Sequence, residues 1–305
     1  AEMPKTLRLW QRGTPLAATR PLFSIDHEDA MLSAMLIGSH GRQGFVAARH
    51  TDFERKLHEW VGFDGSRRAL PLPDYAGVMG VAGGDLLLRL NTDWQPAGAA
   101  ATLPQGALIA VPMAPLLDRG EVADARLLYR PDGNDALRGV TVADGTLYLE
   151  LLHDYRSRIV ALSGDGTARS LPLPADRFIT MLGLEQGRLL LHVEAPLEPP
   201  SLVLADPGSG TLQALASTAP GFRTDDLISE LRRTTSRDGT PITYTITYRR
   251  GLKADGRQPT LIYGYGGYDV PVTPRYEPVF GKLWLERGGV YVHAYLRGGG
   301  EHGPA

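Results

Sequence analysis

The sequence contains no cysteine among its 305 residues. That absence excludes disulfide bonds, thiolate metal sites and a cysteine nucleophile, but it identifies no compartment, because periplasmic proteins can also lack cysteine. The sequence also has no excess of basic residues, since it contains 32 Lys and Arg and 34 Asp and Glu, which gives a formal charge of −2. No basic stripe is present to neutralise phosphates, so we expect no nucleic-acid partner.

A long apolar helix is also absent. The stretch 94–117 carries no charged residue, but its four prolines and two glycines would break a helix long enough to cross a bilayer. We predict a loop followed by a strand at 106–111, and no membrane partner. The chain starts at Ala1 without a charged and then apolar leader, so the compartment stays open between cytoplasm and periplasm, with a slight preference for the cytoplasm.

Glycine and proline are abundant, with 36 and 23 residues, and they separate short apolar runs, which is typical of a many-stranded β domain. Similar segments begin at Gly145 and Gly187, and an Asp-Gly pair followed by Leu-Pro-Leu-Pro occurs at 64–73 and again at 165–174. Units of about 40 to 50 residues have the size of a propeller blade. We predict about four blades, interrupted by an insertion at 91–105, with an irregular β-sandwich as the alternative.

The pattern changes after residue 216. An Asp238-Gly239 turn between two apolar segments predicts a hairpin. Residues 260–263 and 289–295 are apolar runs rich in β-branched and aromatic residues, and we expect both to be buried strands of an α/β sheet, with a short helix that ends at 284–287 between them. The chain is therefore divided into residues 1–219, a partial β-propeller, and residues 220–305, the start of an α/β domain.

The loop Tyr263-Gly-Tyr-Gly-Gly-Tyr268 follows the first of these runs. Ligands of open α/β sheets bind at the carboxyl ends of strands, where a tyrosine hydroxyl can donate a hydrogen bond to an oxyanion. Spacing alone favours a plainer interpretation, aromatic packing around a glycine turn. A dinucleotide site is excluded because Asp269 stands where a third glycine is needed. The charged segment 297–302 is predicted to be a flexible loop first and a site second, with charges that a ligand can order.

Two His-Glu pairs begin like a metalloprotease motif. Met31 and Gly62 stand where the second histidine should follow His27 and His58, so we predict that both histidines are surface residues.

Three further histidines lie on predicted strands. We expect His293 to be a hydrogen-bonded core residue, whereas His153 and His192 lack the Asp or Cys spacing of a metal site. Neither a metal nor another cofactor is expected.

Three segments, in this order, resemble consecutive signatures of the prolyl oligopeptidase family of serine peptidases. They are Pro259-Thr-Leu-Ile-Tyr-Gly-Tyr-Gly-Gly-Tyr268, Trp284-Leu-Glu-Arg-Gly-Gly-Val-Tyr-Val292 and Leu296-Arg-Gly-Gly-Gly-Glu-His-Gly303. Weaker similarities to bacterial members at 10–16, 91–94 and 236–240 extend the resemblance over nearly the whole chain.

The resemblance implies a seven-bladed propeller that caps an α/β-hydrolase domain, with a Ser-Asp-His triad at their interface that cleaves short peptides after proline. It makes Tyr265 the side-chain member of the oxyanion hole and Tyr268 an aromatic wall of the proline pocket. The family usually has Phe at position 268 and Asn at 295, where this chain has Tyr268 and Tyr295. A relative that cuts after basic residues or releases acylated amino acids therefore remains an alternative, as does a non-catalytic propeller binding module.

The Gly-x-Ser-x-Gly elbow that carries the nucleophile of this fold does not occur in the sequence. The resemblance thus implies a fragment, truncated at both ends, whose triad lies outside the chain and which is inactive by itself. We expect a monomer whose partners are short peptide substrates.

Overall fold

The computed structural model describes residues 3–39, 41–52, 54–133 and 135–303. A two-stranded antiparallel sheet comes first and contains β1 (Thr6–Leu9) and β2 (Arg20–Ser24), with a 3₁₀ turn at Leu16–Ala18 between them. Four four-stranded antiparallel sheets follow within these ranges, and in each of them the strands are neighbours in chain order.

We name these sheets I to IV. Sheet I contains β3 (Met31–Ser39), β4 (Arg42–His50), β5 (Lys56–Gly62) and β6 (Arg67–Leu70). Sheet II contains β7 (Ala76–Ala82), β8 (Asp85–Leu90), β9 (Leu108–Pro112) and β10 (Arg126–Tyr129), with helix α1 (Met113–Asp118) before β10. Sheet III contains β11 (Asp135–Ala143), β12 (Thr146–His153), β13 (Arg156–Leu162) and β14 (Ala168–Ser170). Sheet IV contains β15 (Phe178–Glu185), β16 (Arg188–Ala195), β17 (Glu198–Ala205) and β18 (Leu212–Ser217).

Sheet V has a different topology. It contains β19 (Leu227–Thr235), β20 (Pro241–Arg249), β21 (Thr260–Tyr265) and β22 (Val290–Tyr295) in the order β19-β20-β22-β21. Strands β21 and β22 are parallel and are joined through helix α2 (Pro278–Leu283) and a 3₁₀ turn (Leu285–Arg287). The hairpin, both strands and the short helix predicted after residue 216 are confirmed, and a last 3₁₀ turn (Gly300–His302) follows β22.

The internal repeat predicted from the sequence is confirmed by the turns. Strands β12 and β16 are the second strands of sheets III and IV, and each follows a turn whose two central residues have positive φ. The φ angles are 48° and 74° at Asp144 and Gly145, and 50° and 74° at Gln186 and Gly187. This is the mirror-image turn that matches the twist of a β-hairpin.

The repeated Asp-Gly pairs also occupy matching positions. Asp64 and Asp165 lie in the turn before the fourth strand of sheets I and III. In both turns the Asp carboxylate accepts a hydrogen bond at 2.9 Å from the amide two residues later, which closes the turn.

The core lies between successive sheets. Buried aliphatic side chains of sheets I and II form one cluster, those of sheets II and III a second, and those of sheets III and IV a third. Each sheet therefore buries its faces against its neighbours, as the repeat requires. None of the helices in the described ranges has the length and apolar character needed to span a bilayer.

The prediction that residues 260–263 form a buried strand is wrong for this chain. Strand β21 lies at the edge of sheet V and has only β22 as a neighbour among the described residues. Ile262 is therefore 68% exposed, and Tyr263 is exposed as well. The prediction of a strand at β21 is correct. One face of this apolar strand is not covered by the described part of the chain.

Candidate active site

A cleft of about 670 Å³ separates sheets I and II from the glycine-rich loops that follow β21 and β22. On the side of the sheets it is lined by Glu54, Lys56, Tyr75, Arg89, Asn91 and Thr92, and on the side of the loops by Gly267, Tyr268, Asp269, Gly298 and Gly299. Because β21 and β22 are parallel, their carboxyl ends meet at one edge of the sheet, where ligands of open α/β sheets bind.

Tyr265 is the last residue of β21 and pairs with Tyr295 of β22. It is 37% exposed, so its phenol is not enclosed in a core. A Cβ on Gly267 would lie 3.7 Å from the phenol oxygen, which shows that the ring folds over its own loop. The structure thus places the predicted oxyanion residue beside the loop that lines the cleft.

The two glycine-rich loops touch backbone to backbone. A Cβ on Gly266 would come within 2.3 Å of the carbonyl oxygen of Arg297, a distance that no larger residue tolerates. Gly266 is therefore required for the close approach of the loops, which fixes the segment after Tyr265 against the segment after β22.

Tyr268 and Asp269 have left-handed backbones, with φ angles of 57° and 52°. Such conformations cost non-glycine residues free energy and tend to cluster at functional sites. The Asp269 carboxylate accepts a hydrogen bond at 2.9 Å from Arg89 of sheet II, and its amide donates to the Gly298 carbonyl at 3.3 Å. The loop is therefore held from both sides of the cleft while Tyr268, 66% exposed, faces it.

The segment 297–302, predicted to be flexible, is held at both ends by its own charges. The Arg297 guanidinium pairs with Asp238 and donates to Thr240 Oγ1 at 3.3 Å. Glu301 is 2% exposed, and one of its carboxylate oxygens accepts a hydrogen bond at 2.7 Å from the Val272 amide. These charges order the loop within the protein itself.

Tyr295 connects sheet V to sheet III. It is buried, its hydroxyl lies 2.5 Å from Thr245 Oγ1, and its ring stacks on Tyr155 with centroids 4.6 Å apart. Burial raises the pKa of Tyr295. The large side chain at this position is thus a packing residue between two sheets, which the sequence alone did not indicate.

His293 is a core residue, as predicted, and one of its two ring nitrogens lacks a hydrogen bond within the described part of the chain. Its Nε2 has no hydrogen-bond partner among the described residues, and the rings of Tyr263, Tyr291 and Tyr295 contact it. Burial, with a smaller effect of Arg275, lowers the pKa of His293 to about 4.

His58 is not a surface residue, so that prediction is wrong, whereas His27 is exposed as expected. His58 lies on β5 with its side chain turned between sheets I and II, and it is 3% exposed. Burial, reinforced chiefly by Lys56, lowers the pKa of His58 to about 4. In the sequence, the charged residues beside His58 suggest a polar, exposed segment. In a strand, however, successive side chains point to opposite faces of the sheet, and His58 points to the buried face.

His153 has carboxylate neighbours that its sequence spacing did not reveal. Its Nδ1 lies 2.8 Å from Asp135 and 4.0 Å from Asp132, because β11 and β12 pair His153 with Asp135. These three residues are the one group in the described ranges with the spacing of metal ligands. Tyr129 and Arg158 also approach Asp135, at 3.4 and 3.7 Å, so the three residues belong to a wider polar network.

Curated proteins similar to this chain are peptidases. The chain is 32% identical over 246 residues to an uncharacterized peptidase of Sinorhizobium fredii, which covers 79% of this chain and 34% of that protein. It is 24% identical over 313 residues to an uncharacterized peptidase of Rickettsia prowazekii, covering 99% of this chain and 43% of that protein. A prolyl endopeptidase of Elizabethkingia meningoseptica is 36% identical over 137 residues, which are 44% of this chain and 19% of that protein. The chain spans less than half the length of these relatives.

Solved structures share the fold. A post-proline cleaving enzyme from Rickettsia typhi superposes with a TM-score of 0.82 at 23% identity, covering 99% of this chain and 46% of that one. Oligopeptidase B from Trypanosoma brucei superposes with a TM-score of 0.74 at 18% identity, and the match covers 98% of this chain and 43% of that one. No protein-family model matches the chain.

The four antiparallel sheets match the propeller domain of these structures. The family resemblance predicted from the three glycine-rich and aromatic motifs is thereby confirmed. By its curated relatives and by its fold, the chain belongs to the prolyl oligopeptidase family of peptidases.

Proposed function

We propose that the whole protein is a serine oligopeptidase that hydrolyses short peptides on the carboxyl side of proline. In this proposal residues 1–219 form about four of seven propeller blades, and residues 220–305 begin the α/β-hydrolase domain. The Ser, Asp and His of the triad lie outside this chain.

The position of Tyr265 in sheet V carries the proposal. Strand β21 is the third strand of that sheet in chain order. In α/β-hydrolases the loop after the third strand contributes to the oxyanion hole. Tyr265 begins this loop, is partly exposed and adjoins a cleft that sheets I and II close from the other side.

The exposed edge of sheet V supports the same assignment. The nucleophile of this fold follows a later strand of the sheet, and β21 offers a free side for such a strand. The exposed side chains of Ile262 and Tyr263 supply the apolar surface that further strands and helices would cover.

The mechanism follows from these positions. The serine oxygen attacks the peptide carbonyl while the histidine takes its proton, and the carbonyl oxygen becomes negatively charged. The Tyr265 hydroxyl and a backbone N–H donate hydrogen bonds to that oxygen, which stabilises the transition state. The histidine then protonates the leaving amine, and water releases the acyl group by the reverse sequence.

Tyr268 decides between proline and other residues at the cleaved bond. In this proposal its ring forms a wall of the proline pocket, but its hydroxyl makes that wall more polar than phenylalanine would. Since an added hydroxyl in an apolar pocket changes substrate preference only modestly, cleavage after basic residues or release of acylated amino acids is the second candidate function.

The longer protein tests this proposal directly. We expect it to hydrolyse a succinyl-Gly-Pro chromogenic peptide, to be labelled by a fluorophosphonate, and to act more slowly on the matching Arg peptide. Faster hydrolysis of the Arg peptide would favour the second candidate. A longer sequence without a serine elbow, together with no labelling, would leave only a non-catalytic propeller binding module.

A further inference from the structure

A second cavity, of about 210 Å³, lies between sheets I and II. Its polar lining consists of Ser33, His50, Lys56 and His58, and its remaining lining residues are apolar or glycine, with no carboxylate. Lys56 lines both this cavity and the candidate active-site cleft. The two spaces therefore adjoin at the Lys56 side chain.

The positive charge of Lys56 is not paired within the described residues. Arg89, the other cation of the cleft, is matched by Asp269 at 2.9 Å, whereas the described residues include no carboxylate within ion-pair distance of Lys56. Burial and the nearby Arg89 lower the pKa of Lys56, and the more distant Asp269 carboxylate offsets this only in part. Glu54 also lines the cleft, but its side chain is exposed and forms no ion pair with Lys56. A half-buried cation without a counter-ion attracts an anionic group of a ligand.

His58 adds a hydrogen-bond donor to the same cavity. Its side chain is only 3% exposed, and neither ring nitrogen has a partner of good geometry among the described residues, because the backbone of Ala76 makes only a weak, poorly aligned contact with the ring. His50 is engaged by Ser33 at 2.9 Å, and Asp74, the carboxylate that acts on the pKa of His58, is paired with Arg55 at 2.7 Å. Buried polar atoms nearly always have a partner, so the His58 ring is suited to meet a ligand atom.

Both histidines are neutral near pH 7. Burial lowers the pKa of His50 as well as that of His58, and a neutral imidazole offers one N–H donor. The cavity thus combines one formal positive charge with donors that carry none, which suits a single carboxylate better than a dianion.

We propose that this cavity is a subsite for a carboxylate of the peptide substrate, with Lys56 as its ionic partner and His58 as a hydrogen-bond donor. The inference rests on the proposed peptidase activity and adds a substrate class to it, short peptides with an acidic side chain or a free carboxyl terminus. The carboxylate reaches the cavity from the cleft, past Lys56.

A set of paired peptides tests the subsite in the longer protein. Each pair carries Glu or Gln at one position of an otherwise neutral proline peptide with an amidated carboxyl terminus, and one further pair compares the amide with the free acid. We expect one position at which the carboxylate raises kcat/KM by roughly 5- to 50-fold, chiefly through KM, as is typical of a partly desolvated charge pair. The amide and free-acid pair distinguishes a side chain from a chain terminus.

Variants then assign the effect to the cavity. Lys56→Met should bring the ratio of kcat/KM for the Glu and Gln peptides close to one, whatever it does to the absolute rates, because Lys56 also lines the cleft. Circular dichroism and fluorophosphonate labelling show that the variant is folded. His58→Asn should lower the ratio partly. The matched control Lys253→Met, which removes an exposed lysine outside both cavities, should keep it.

The outcomes are distinct. If neutral peptides are hydrolysed but no carboxylate is preferred at any position, the subsite is wrong and the peptidase assignment stands. A preference that survives in Lys56→Met also overturns the subsite. If no peptide is hydrolysed and no fluorophosphonate labelling occurs, the proposed function fails, and the subsite fails with it.

Discussion

Arg89 and Asp269 form an ion pair 180 positions apart in the sequence, and this pair joins sheet II to the loop after Tyr265. Both side chains are less than one-third exposed, so the removal of one partner leaves a partly buried charge without its counter-ion. We expect Asp269→Asn or Arg89→Met to lower kcat of the longer protein by roughly 3- to 30-fold, because the strained backbone of Tyr268 and Asp269 loses its anchor.

A double-mutant cycle measures this coupling. The double variant should be little worse than either single variant, with a coupling free energy of about 1 kcal/mol. Arg126→Met is the matched control, because it breaks the Arg126–Asp85 pair within the same sheet and touches neither loop. Independent, additive effects of the two substitutions would show that the pair does not act as a unit.

His58 and His293 make the folded chain sensitive to acid. Their pKa values are about 4 in the folded protein and near 6.5 when unfolded, so between these values the unfolded state binds more protons. The free energy of unfolding should therefore fall as the pH drops from about 6.5 to 4, by roughly 3 kcal/mol at most for each histidine, and stay flat above that window.

Urea denaturation at pH 7.5, 5.5 and 4.5 checks this pH dependence. His293→Phe should reduce the loss of stability on acidification, since a phenyl ring takes no proton and no hydrogen bond of Nε2 is lost. His27→Gln changes an exposed histidine and should leave the pH dependence as it is. Equal losses in the parent chain and in His293→Phe would contradict the assignment of His293.

At the scale of elements, β21 is the least complete part of the structure. Its outer edge has no strand partner in the described chain, and Ile262 is exposed. In the 305-residue chain Ile262→Lys should reduce self-association, because a charge on an apolar edge opposes intermolecular strand pairing. In the longer protein the same substitution should lower the free energy of unfolding by about 1–3 kcal/mol if a further strand and its covering layer bury this position.

Light scattering of the short chain and thermal unfolding of the longer protein measure the two effects. Val279→Lys is the control, since Val279 is an equally exposed aliphatic residue on α2. If Ile262→Lys and Val279→Lys behave alike in both proteins, β21 is not an interrupted edge.

Elements whose signals are local were predictable from the sequence. The turns at Gly145 and Gly187 and the Asp-Gly turns fix hairpins by backbone chemistry alone, so the repeated four-stranded sheets followed from them. The location of Tyr265 at a strand end was predictable for the same reason. Contacts made across sheets were not, because the Arg89–Asp269 pair, the Tyr155–Tyr295 stack and the burial of His58 depend on which sheets face each other.

At the scale of the whole molecule, sheets II and III are linked to sheet V by side chains rather than by strands, and two of these links lie near the cleft. The Arg89–Asp269 pair links sheet II to the loop that lines the cleft, and the Tyr155–Tyr295 stack links sheet III to β22. Both links end next to the carboxyl ends of the parallel strands. Sheets II and III therefore help to position the ends of β21 and β22, where the proposed oxyanion loop begins.

Turnover of a Tyr265→Phe variant of the longer protein tests the central claim most directly, with Tyr263→Phe on the same strand as the matched control. If the Tyr265 hydroxyl donates to the oxyanion, its removal should lower kcat on a succinyl-Gly-Pro peptide by roughly 10- to 1,000-fold, while KM changes little and Tyr263→Phe stays near the parent rate. Normal turnover in Tyr265→Phe would contradict the account, since the phenol would then have no part in the chemistry.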